Sequence, residues 1–245
     1  MLDWLYPWTC SLCGLATGNG SALCSVCLKR LLRLEKPICL HCGEPARPEA
    51  AASGNCDACS RRERSFDFAR SALADTKENH RLILDLKYHG ADYLAPALAV
   101  FLDELWEECT LLHQWGDWAL LPIPTTDKRL QKRGYNQAEE LARALGKRRN
   151  LRCIHPLERT RGDRVSQTTL DAREREVHAR SIYRLQNGWA RGKKTWPAHI
   201  LLIDDVFTTG ATLRACARQL KTRPEVRTVG ALTVLRASRL GSSFS

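Results

Sequence analysis

Four Cys-x-x-Cys pairs stand within the first 59 residues of this 245-residue chain and hold eight of its eleven cysteines. One such turn places two thiolates on the same side of a tight knuckle, and two knuckles supply the four sulfur ligands of a tetrahedral zinc ion. The pattern therefore predicts two structural zinc sites whose ligand positions are all closed, so neither site is expected to be catalytic. The eight predicted ligands are Cys10, Cys13, Cys24, Cys27, Cys39, Cys42, Cys56 and Cys59.

The spacing leaves the pairing of the knuckles open. Ten residues separate Cys13 from Cys24 and thirteen separate Cys42 from Cys56, which suits sequential pairing in a double zinc ribbon. Cross-braced pairing of the first knuckle with the third is possible but less favoured, because it needs a longer connection between the paired knuckles. Disulfides are a poorer interpretation, because the N-terminus lacks the basic start of a secretory signal and we expect a cytoplasmic protein. Redox chemistry is also a poorer interpretation, because it requires only one Cys-x-x-Cys pair, next to a βαβ unit, whereas this chain has four pairs.

The rest of the chain has the composition of an ordinary globular protein, with 44% hydrophobic and 27% charged residues. No segment approaches the ~18 consecutive apolar residues of a membrane span, so we expect no membrane insertion. The composition changes after the last knuckle. We therefore expect a double zinc ribbon in residues 1–62 and a larger domain in residues 63–245.

Apolar periodicity in the larger domain predicts strands that alternate with helices. Strands are predicted at 66–74, 151–155, 199–203 and 226–235, with a further short apolar run at 118–123. Helices are predicted at 78–88, 93–106, 136–147 and 213–221. This alternation is typical of an α/β fold built on a parallel sheet.

The most informative segment is 201–212, in which a buried strand ends in Asp204 and Asp205. Ligands of open α/β sheets bind at that edge, and two acceptor-only carboxylates suit a vicinal diol. The turn that follows, which we call the threonine loop, offers three hydroxyls, backbone N–H groups and a helix N-terminus to a phosphate. It consists of Thr208, Thr209, Gly210, Ala211 and Thr212. The acid pair and the threonine loop together predict a site that binds a ribose 5-phosphate.

Two other interpretations of this segment are weaker. The Walker B strand of an ATPase also ends in two aspartates, but it requires a Gly-x-x-x-x-Gly-Lys segment followed by Ser or Thr, and the chain has none. Residues 192–195 lack both the leading glycine and a preceding strand. An acidic strand end before an ordinary capped helix needs only one Thr or Asp.

Segment 201–212 resembles the phosphoribosyl pyrophosphate (PRPP) signature of type I phosphoribosyltransferases, and the whole chain is similar to the ComF/GntX family of competence-associated proteins. Besides the ribbon and this loop, the resemblance is carried by Leu86-Lys87-Tyr88, Pro122-Ile123-Pro124, Arg133-Gly134-Tyr135-Asn136-Gln137, Arg159-Thr160-Arg161, Gln167 and Leu170. It implies a type I phosphoribosyltransferase-like parallel sheet with helices on both faces, preceded by a small double zinc ribbon. It also implies a role in the uptake, transformation or use of external DNA.

The resemblance further implies roles for single residues. Asp204 and Asp205 would hold the ribose hydroxyls, directly or through water bound to Mg²⁺, and the threonine loop would hold the 5-phosphate. Arg133, with Asn136 and Lys87, would meet the pyrophosphate. Transfer from PRPP passes through an oxocarbenium-like transition state, so positioning and charge stabilisation are sufficient for catalysis. The acceptor base is not indicated.

Positive charge is concentrated in one part of the chain. The formal net charge is +11, and residues 128–194 alone carry 19 basic and 7 acidic side chains. Pyrophosphate and a nucleic-acid backbone are both partners for such a cluster. Two functions therefore stay open: phosphoribosyl transfer to or from an unknown base, and single-stranded DNA binding by a competence factor with a regulatory PRPP site. Other DNA-uptake proteins are further candidate partners.

Overall fold

A computed structural model describes residues 8–17, 20–53, 56–88, 90–160, 182–190 and 195–237. Its strands are β1 (Phe68–Ala74), β2 (Trp118–Pro122), β3 (Leu157–Arg159), β4 (Tyr183–Leu185), β5 (His199–Phe207) and β6 (Thr228–Arg236). Its helices are α1 (Ser25–Arg30), α2 (Pro48–Ala52), α3 (Asp57–Ser60), α4 (Lys77–Tyr88), α5 (Ala95–Glu108), α6 (Thr110–His113), α7 (Asp127–Arg133), α8 (Gln137–Arg149) and α9 (Ala211–Leu220). A 3₁₀ turn covers Asp92–Leu94.

Four parallel strands form the central sheet in the order β1, β6, β5, β2. Every residue of β6 is buried, as expected of a central strand that is covered on both faces. Because the strands are parallel, their carboxyl ends meet at one edge of the sheet. This arrangement confirms the predicted α/β fold.

Helices cover both faces of the sheet. Side chains alternate along β5, so that Leu201 and Ile203 face a core shared with α4, α5 and α8, whereas Ile200 and Leu202 face a second core shared with α9. The cysteines at 10 and 27 belong to the first core, and those at 39, 42, 56 and 59 belong to the second. The two halves of the ribbon therefore pack on opposite faces of the sheet.

The ribbon also covers the outer edge of β1. Residues 32–34 run antiparallel to the end of this strand, where the Leu34 N–H donates to the Ala72 carbonyl and the Ala74 N–H donates to the Leu32 carbonyl, both at 3.0 Å. Nearer its start, the Ala69 N–H donates to the His41 carbonyl at 2.7 Å. Backbone groups that an edge strand would otherwise expose are thus paired.

Several local features differ from the sequence predictions. Strand β5 continues past the predicted end at residue 203 to Phe207, so the acid pair lies within the strand and not after it. Residues 151–155 form a single bridge to β2, between Cys153 and Leu120, and not a strand. The basic segment 128–133, which lacks apolar periodicity and suggests a turn, forms α7. A short antiparallel pair, β3 with β4, was not predicted, because three residues are too few to show a period.

Candidate functional site

The eight predicted zinc ligands form two clusters in sequential pairing. One cluster holds the cysteines at 10, 13, 24 and 27, the other those at 39, 42, 56 and 59, and within each the four sulfur atoms lie within 4.8 Å of one another. The cross-braced alternative is therefore wrong. We call the two halves the first ribbon and the second ribbon.

The sulfur positions fit zinc better than disulfides. The Cys42 and Cys56 Sγ atoms are 3.5 Å apart, and those of Cys39 and Cys59 are 3.9 Å apart. A tetrahedron with Zn–S bonds of about 2.3 Å has edges of about 3.8 Å, whereas a disulfide bond measures about 2 Å. These residues are thus arranged to hold two zinc ions in closed sites, and the predicted structural role fits both clusters.

A cavity of about 250 Å³, which we call the edge cavity, opens at the carboxyl edge of the sheet. It brings together most of the residues that the sequence singled out. Among the predicted site residues, its walls include Lys87 from α4, Arg133 from α7, Asn136 before α8, Asp204 and Asp205 from β5, and Thr212 from α9.

The acid pair lies at the floor of this cavity with a lysine beside it. Lys87 Nζ is 2.7 Å from the Asp205 carboxylate, and the Asp205 N–H donates to Asp204 Oδ1 at 2.9 Å. Burial, and then the neighbouring Asp205 carboxylate, raise the pKa of Asp204 well above its usual range. Asp204 therefore loses its proton less readily than an exposed aspartate does.

The threonine loop has the backbone geometry that a phosphate site requires. Gly210 has φ +73°, in the left-handed region, and a Cβ atom there would lie 2.7 Å from Phe207 Cζ. The N-cap residue Gly210 has no side chain with which to cap α9, and at the start of that helix the Ala211 N–H donates to Thr209 Oγ1 at 3.3 Å. The Thr209 carbonyl is held from the other side by Arg62 Nη1 at 2.5 Å and Arg214 Nη2 at 3.1 Å.

The loop residues do not all line the edge cavity. Thr212 does, whereas Thr209 lies at a narrow gap between the loop and the second ribbon. Thr208 and Thr209 are exposed, and Gly210 is buried.

The basic side of the cavity is built on α7 and α8. Arg133 donates to Gln137 Oε1 at 2.8 Å and lies over the Tyr88 ring, 4.9 Å from its centroid. Asn136 is the N-cap of α8: its oxygen accepts from the Ala138 N–H, and its Nδ2 donates to the Ile123 carbonyl. Both polar atoms of Asn136 are thus used within the protein, so its contact with pyrophosphate stays a prediction.

Several residues that line the cavity were not predicted as site residues, and three of them carry groups suited to phosphate or to hydrogen bonding. They are Arg129, Arg159 and Tyr183. Arg159 Nη1 lies 3.4 Å from the Tyr183 hydroxyl, and burial raises the pKa of Tyr183 to about 12. The tyrosine therefore offers a neutral hydroxyl at physiological pH. Arg159 carries part of the family resemblance, whereas nothing in the sequence around Tyr183 identifies it. Arg161, Gln167 and Leu170 lie outside the described residues.

Comparisons with known proteins agree with the ribbon and with the resemblance. A family model described as a double zinc ribbon domain matches residues 1–60. The chain is 27% identical to Competence protein ComFC of Bacillus subtilis, covering 88% of this chain and 84% of that protein. It is 27% identical to Competence protein F of Haemophilus influenzae, covering 82% and 85% of the two chains. It is 28% identical to DNA utilization protein YhgH of Escherichia coli K12, covering 87% and 91%. Within the described residues, no helix has the length and hydropathy needed to cross a bilayer.

Proposed function

We propose that this homologue of the ComF-type competence and DNA utilization proteins binds PRPP, or another ribose 5-phosphate compound, in the edge cavity. One observation carries the proposal: an acid pair, a helix N-terminus and several basic side chains converge on one cavity at the carboxyl edge of a parallel sheet. A sugar with a diol on one side and phosphates on the other presents the complementary groups.

The charges in the cavity support this choice of ligand. Among the described residues, four basic side chains line it against the two aspartates, those of Lys87, Arg129, Arg133 and Arg159. Positive groups in excess suit the phosphates of PRPP, and arginine pairs well with phosphate oxygens. Asp204 and Asp205 suit the ribose hydroxyls.

Magnesium would enter with PRPP. Carboxylate oxygens are the ligand type that Mg²⁺ prefers, and it usually keeps several waters beside the phosphates that it binds. Asp204 and Asp205 are the side chains that would hold it, through those waters. When bound, it would supply neutralisation of the pyrophosphate charge.

Phosphoribosyl transfer is the reaction that these residues would serve. The bond between C1 of the ribose and the pyrophosphate oxygen breaks, and a new bond forms from C1 to a nitrogen of the acceptor base, which loses a proton. Arg133 and Lys87 would stabilise the departing negative charge, while the threonine loop holds the 5-phosphate in place. No strong protein nucleophile is needed.

Calorimetry tests the binding proposal. Wild type titrated with PRPP and MgCl₂ is expected to show saturable binding to one site per chain, and the double variant Asp204→Ala/Asp205→Ala is expected to lose it. Glu225→Gln, an exposed acid outside the cavity, is the control and should bind like wild type. If wild type does not bind, or the double variant binds equally well, the proposal fails.

A separate assay tests transfer. Wild type mixed with PRPP, MgCl₂ and a panel of free bases is screened for release of pyrophosphate. Release that requires one base and is lost in Arg133→Ala supports the transferase. Binding of PRPP without release for any base favours a regulatory PRPP site instead.

Helix α7 favours a second candidate function, the binding of single-stranded DNA. It has no buried residue, and its Lys128, Arg129 and Lys132 are exposed beside the edge cavity. For single-stranded DNA, a plot of log K against log salt concentration falls with a slope of about −0.7 for each phosphate contact. Neutralising Lys128 and Lys132 removes two contacts and should therefore make the slope less steep by about 1.4.

The matched control neutralises Arg148 and Arg149 of α8, which already pair with Asp103. If the control variant changes the slope as much as the α7 variant does, α7 is not the part of the surface that binds the DNA phosphates. If wild type does not bind a labelled oligonucleotide at 50 mM salt, this second function is excluded.

A further inference from the structure

The second ribbon is attached to the threonine loop by a direct hydrogen bond. Arg62 follows the last knuckle, and its Nη1 donates to the Thr209 carbonyl at 2.5 Å. Arg62 therefore fixes the peptide group that precedes Gly210, the residue on which the left-handed turn depends. A shift of the ribbon would move this peptide.

A buried arginine makes a second connection. Arg236, at the end of β6, is only 3% exposed. It donates through Nη1 to the Cys42 carbonyl at 2.6 Å, lies 3.9 Å through Nη2 from the Cys42 sulfur, and pairs with Glu44. The same guanidinium lies 3.8 Å from the centroid of Phe207, which immediately precedes the loop.

Aromatic rings make a third connection. The His41 ring, inside the third knuckle, stacks on Phe66 with centroids 4.7 Å apart, and Phe66 meets Phe207 edge-on at 6.3 Å. Phe207 is 2% exposed and is the residue that a Cβ at Gly210 would strike. The knuckle, Phe207 and the loop thus form one packed unit.

The charge of a zinc–thiolate site explains the buried arginines. Zinc with four thiolates carries a net charge of roughly −2, which is costly to bury without positive partners. Arg236 and Arg70, the latter 8% exposed, both donate to carbonyls of the third knuckle, those of Cys42 and Leu40. The cluster that zinc would occupy therefore contributes, with Glu44, to holding Arg236 in place.

The first ribbon lacks such a connection in the described contacts. After it, Arg33 pairs with Glu104 and Lys36 pairs with Glu108, both on α5. These contacts lie away from the edge cavity, whose walls include none of the four residues.

We infer that Arg62 and Arg236 are positioning residues that couple the second zinc site to the threonine loop, so that sugar phosphate binding and zinc retention at this one site strengthen each other. The inference rests on the proposed function, since the loop is taken to hold the 5-phosphate. Because coupling between two sites is reciprocal, it can be measured from the zinc side.

The experiment follows cysteine alkylation in the zinc-loaded full chain, with a chelator present and each cysteine resolved by mass spectrometry. Saturating ribose 5-phosphate is expected to slow alkylation of the second-ribbon cysteines roughly 10-fold and to leave the first-ribbon cysteines unchanged. In Arg62→Ala the protection of the second-ribbon cysteines should fall to about twofold or less. In Arg62→Lys most of this protection should return, because the lysine ammonium can also donate to the Thr209 carbonyl. Arg33→Ala, the matched control, should keep all of it.

Equal protection of both ribbons, no protection in a protein that binds the sugar phosphate, or full protection in Arg62→Ala would each overturn the inference. If calorimetry shows that wild type binds neither ribose 5-phosphate nor PRPP with MgCl₂, the proposed function is what fails. Hydrogen exchange without ligand then tests the coupling: removal of zinc should speed exchange of amides 208–213 while α8 stays protected. Unchanged exchange in the loop would overturn the inference by itself.

Discussion

Asp204 is an acidic side chain that the fold keeps from ionising easily. Its pKa is raised by burial and by the Asp205 carboxylate, so this side chain loses its proton less readily in the folded protein than in the unfolded chain. A pKa that is raised in the folded state does not affect stability at a pH below the usual pKa of aspartate, because the acid is then protonated in both states. As the pH rises above that value, the free energy of unfolding falls. At neutral pH, Asp204 therefore destabilises the folded state, as residues built for binding commonly do.

Asp204→Asn is expected to stabilise the protein without ligand. The amide keeps an oxygen for the Asp205 N–H and has no charge to bury, so Tm at pH 7 should rise by about 2–4 °C, the shift that ~1 kcal/mol produces in a chain of this size. The gain should shrink towards pH 4, because the aspartate of the unfolded chain, with a pKa of about 3.9, is then about half protonated as well. Thermal melts at both pH values measure it.

Asp205→Asn is the comparison, because it removes the ion-pair partner of the half-buried Lys87 and should lower Tm. An Asp204→Asn protein that melts below wild type at pH 7 would contradict the account of the acid pair.

Gly210→Ala should damage both the fold and the site. The residue has φ +73°, and the added Cβ would meet Phe207, so we expect a loss of about 1–2 kcal/mol in the free energy of unfolding and no detectable sugar phosphate binding. Urea denaturation and calorimetry measure the two effects. Gly116→Ala is the control, since open space surrounds that position and its stability should hardly change.

At the scale of elements, helix α7 shows what apolar periodicity cannot predict. Thr126 accepts a hydrogen bond from the Arg129 N–H at the start of this helix, and Gly134 ends it with φ +82°. The helix is therefore defined by its caps and buries no side chain. By contrast, β5 and β6 were predictable because burial gives them mostly apolar sequences, and β2 showed a short apolar run.

Thr126→Ala should loosen α7 and with it the basic side of the edge cavity. Loss of a cap costs about 1 kcal/mol, but α7 is a surface helix, so the global unfolding transition should move little. PRPP affinity, measured by calorimetry, should fall by about fivefold, since Arg129 and Arg133 are carried by this helix. Thr126→Ser keeps the capping oxygen and should behave like wild type, and a Thr126→Ala protein with unchanged affinity would contradict this role.

The candidate site was predictable only in its contiguous parts. The acid pair and the threonine loop follow one another in sequence, so chemistry and spacing were sufficient to single them out. Lys87 and Arg133 were proposed through a resemblance, and only the fold brings them to the same cavity. Tyr183 could not be found, because it reaches the cavity from a three-residue strand with no pattern of its own.

At the scale of the whole molecule, the two ribbons divide between the two faces of the sheet. Native mass spectrometry of protein purified without chelator is expected to find two zinc ions per chain, and acidification should release both because thiolates must be deprotonated to bind metal. Cobalt substitution offers an independent check, since tetrahedral thiolate sites give a strong visible spectrum. One zinc per chain at saturation would contradict the double site.

Backbone hydrogen bonds join the ribbon to β1 across the predicted domain boundary near residue 62, so we expect that residues 63–245 do not fold as an independent unit. A chain cut to residues 63–245 would present β1 with unpaired N–H and carbonyl groups, a template for self-association. We expect such a fragment to form oligomers by light scattering, and a monodisperse monomer would show that the ribbon is dispensable. The metal-binding segment of this protein thus completes the sheet from outside, in the place of an outermost strand.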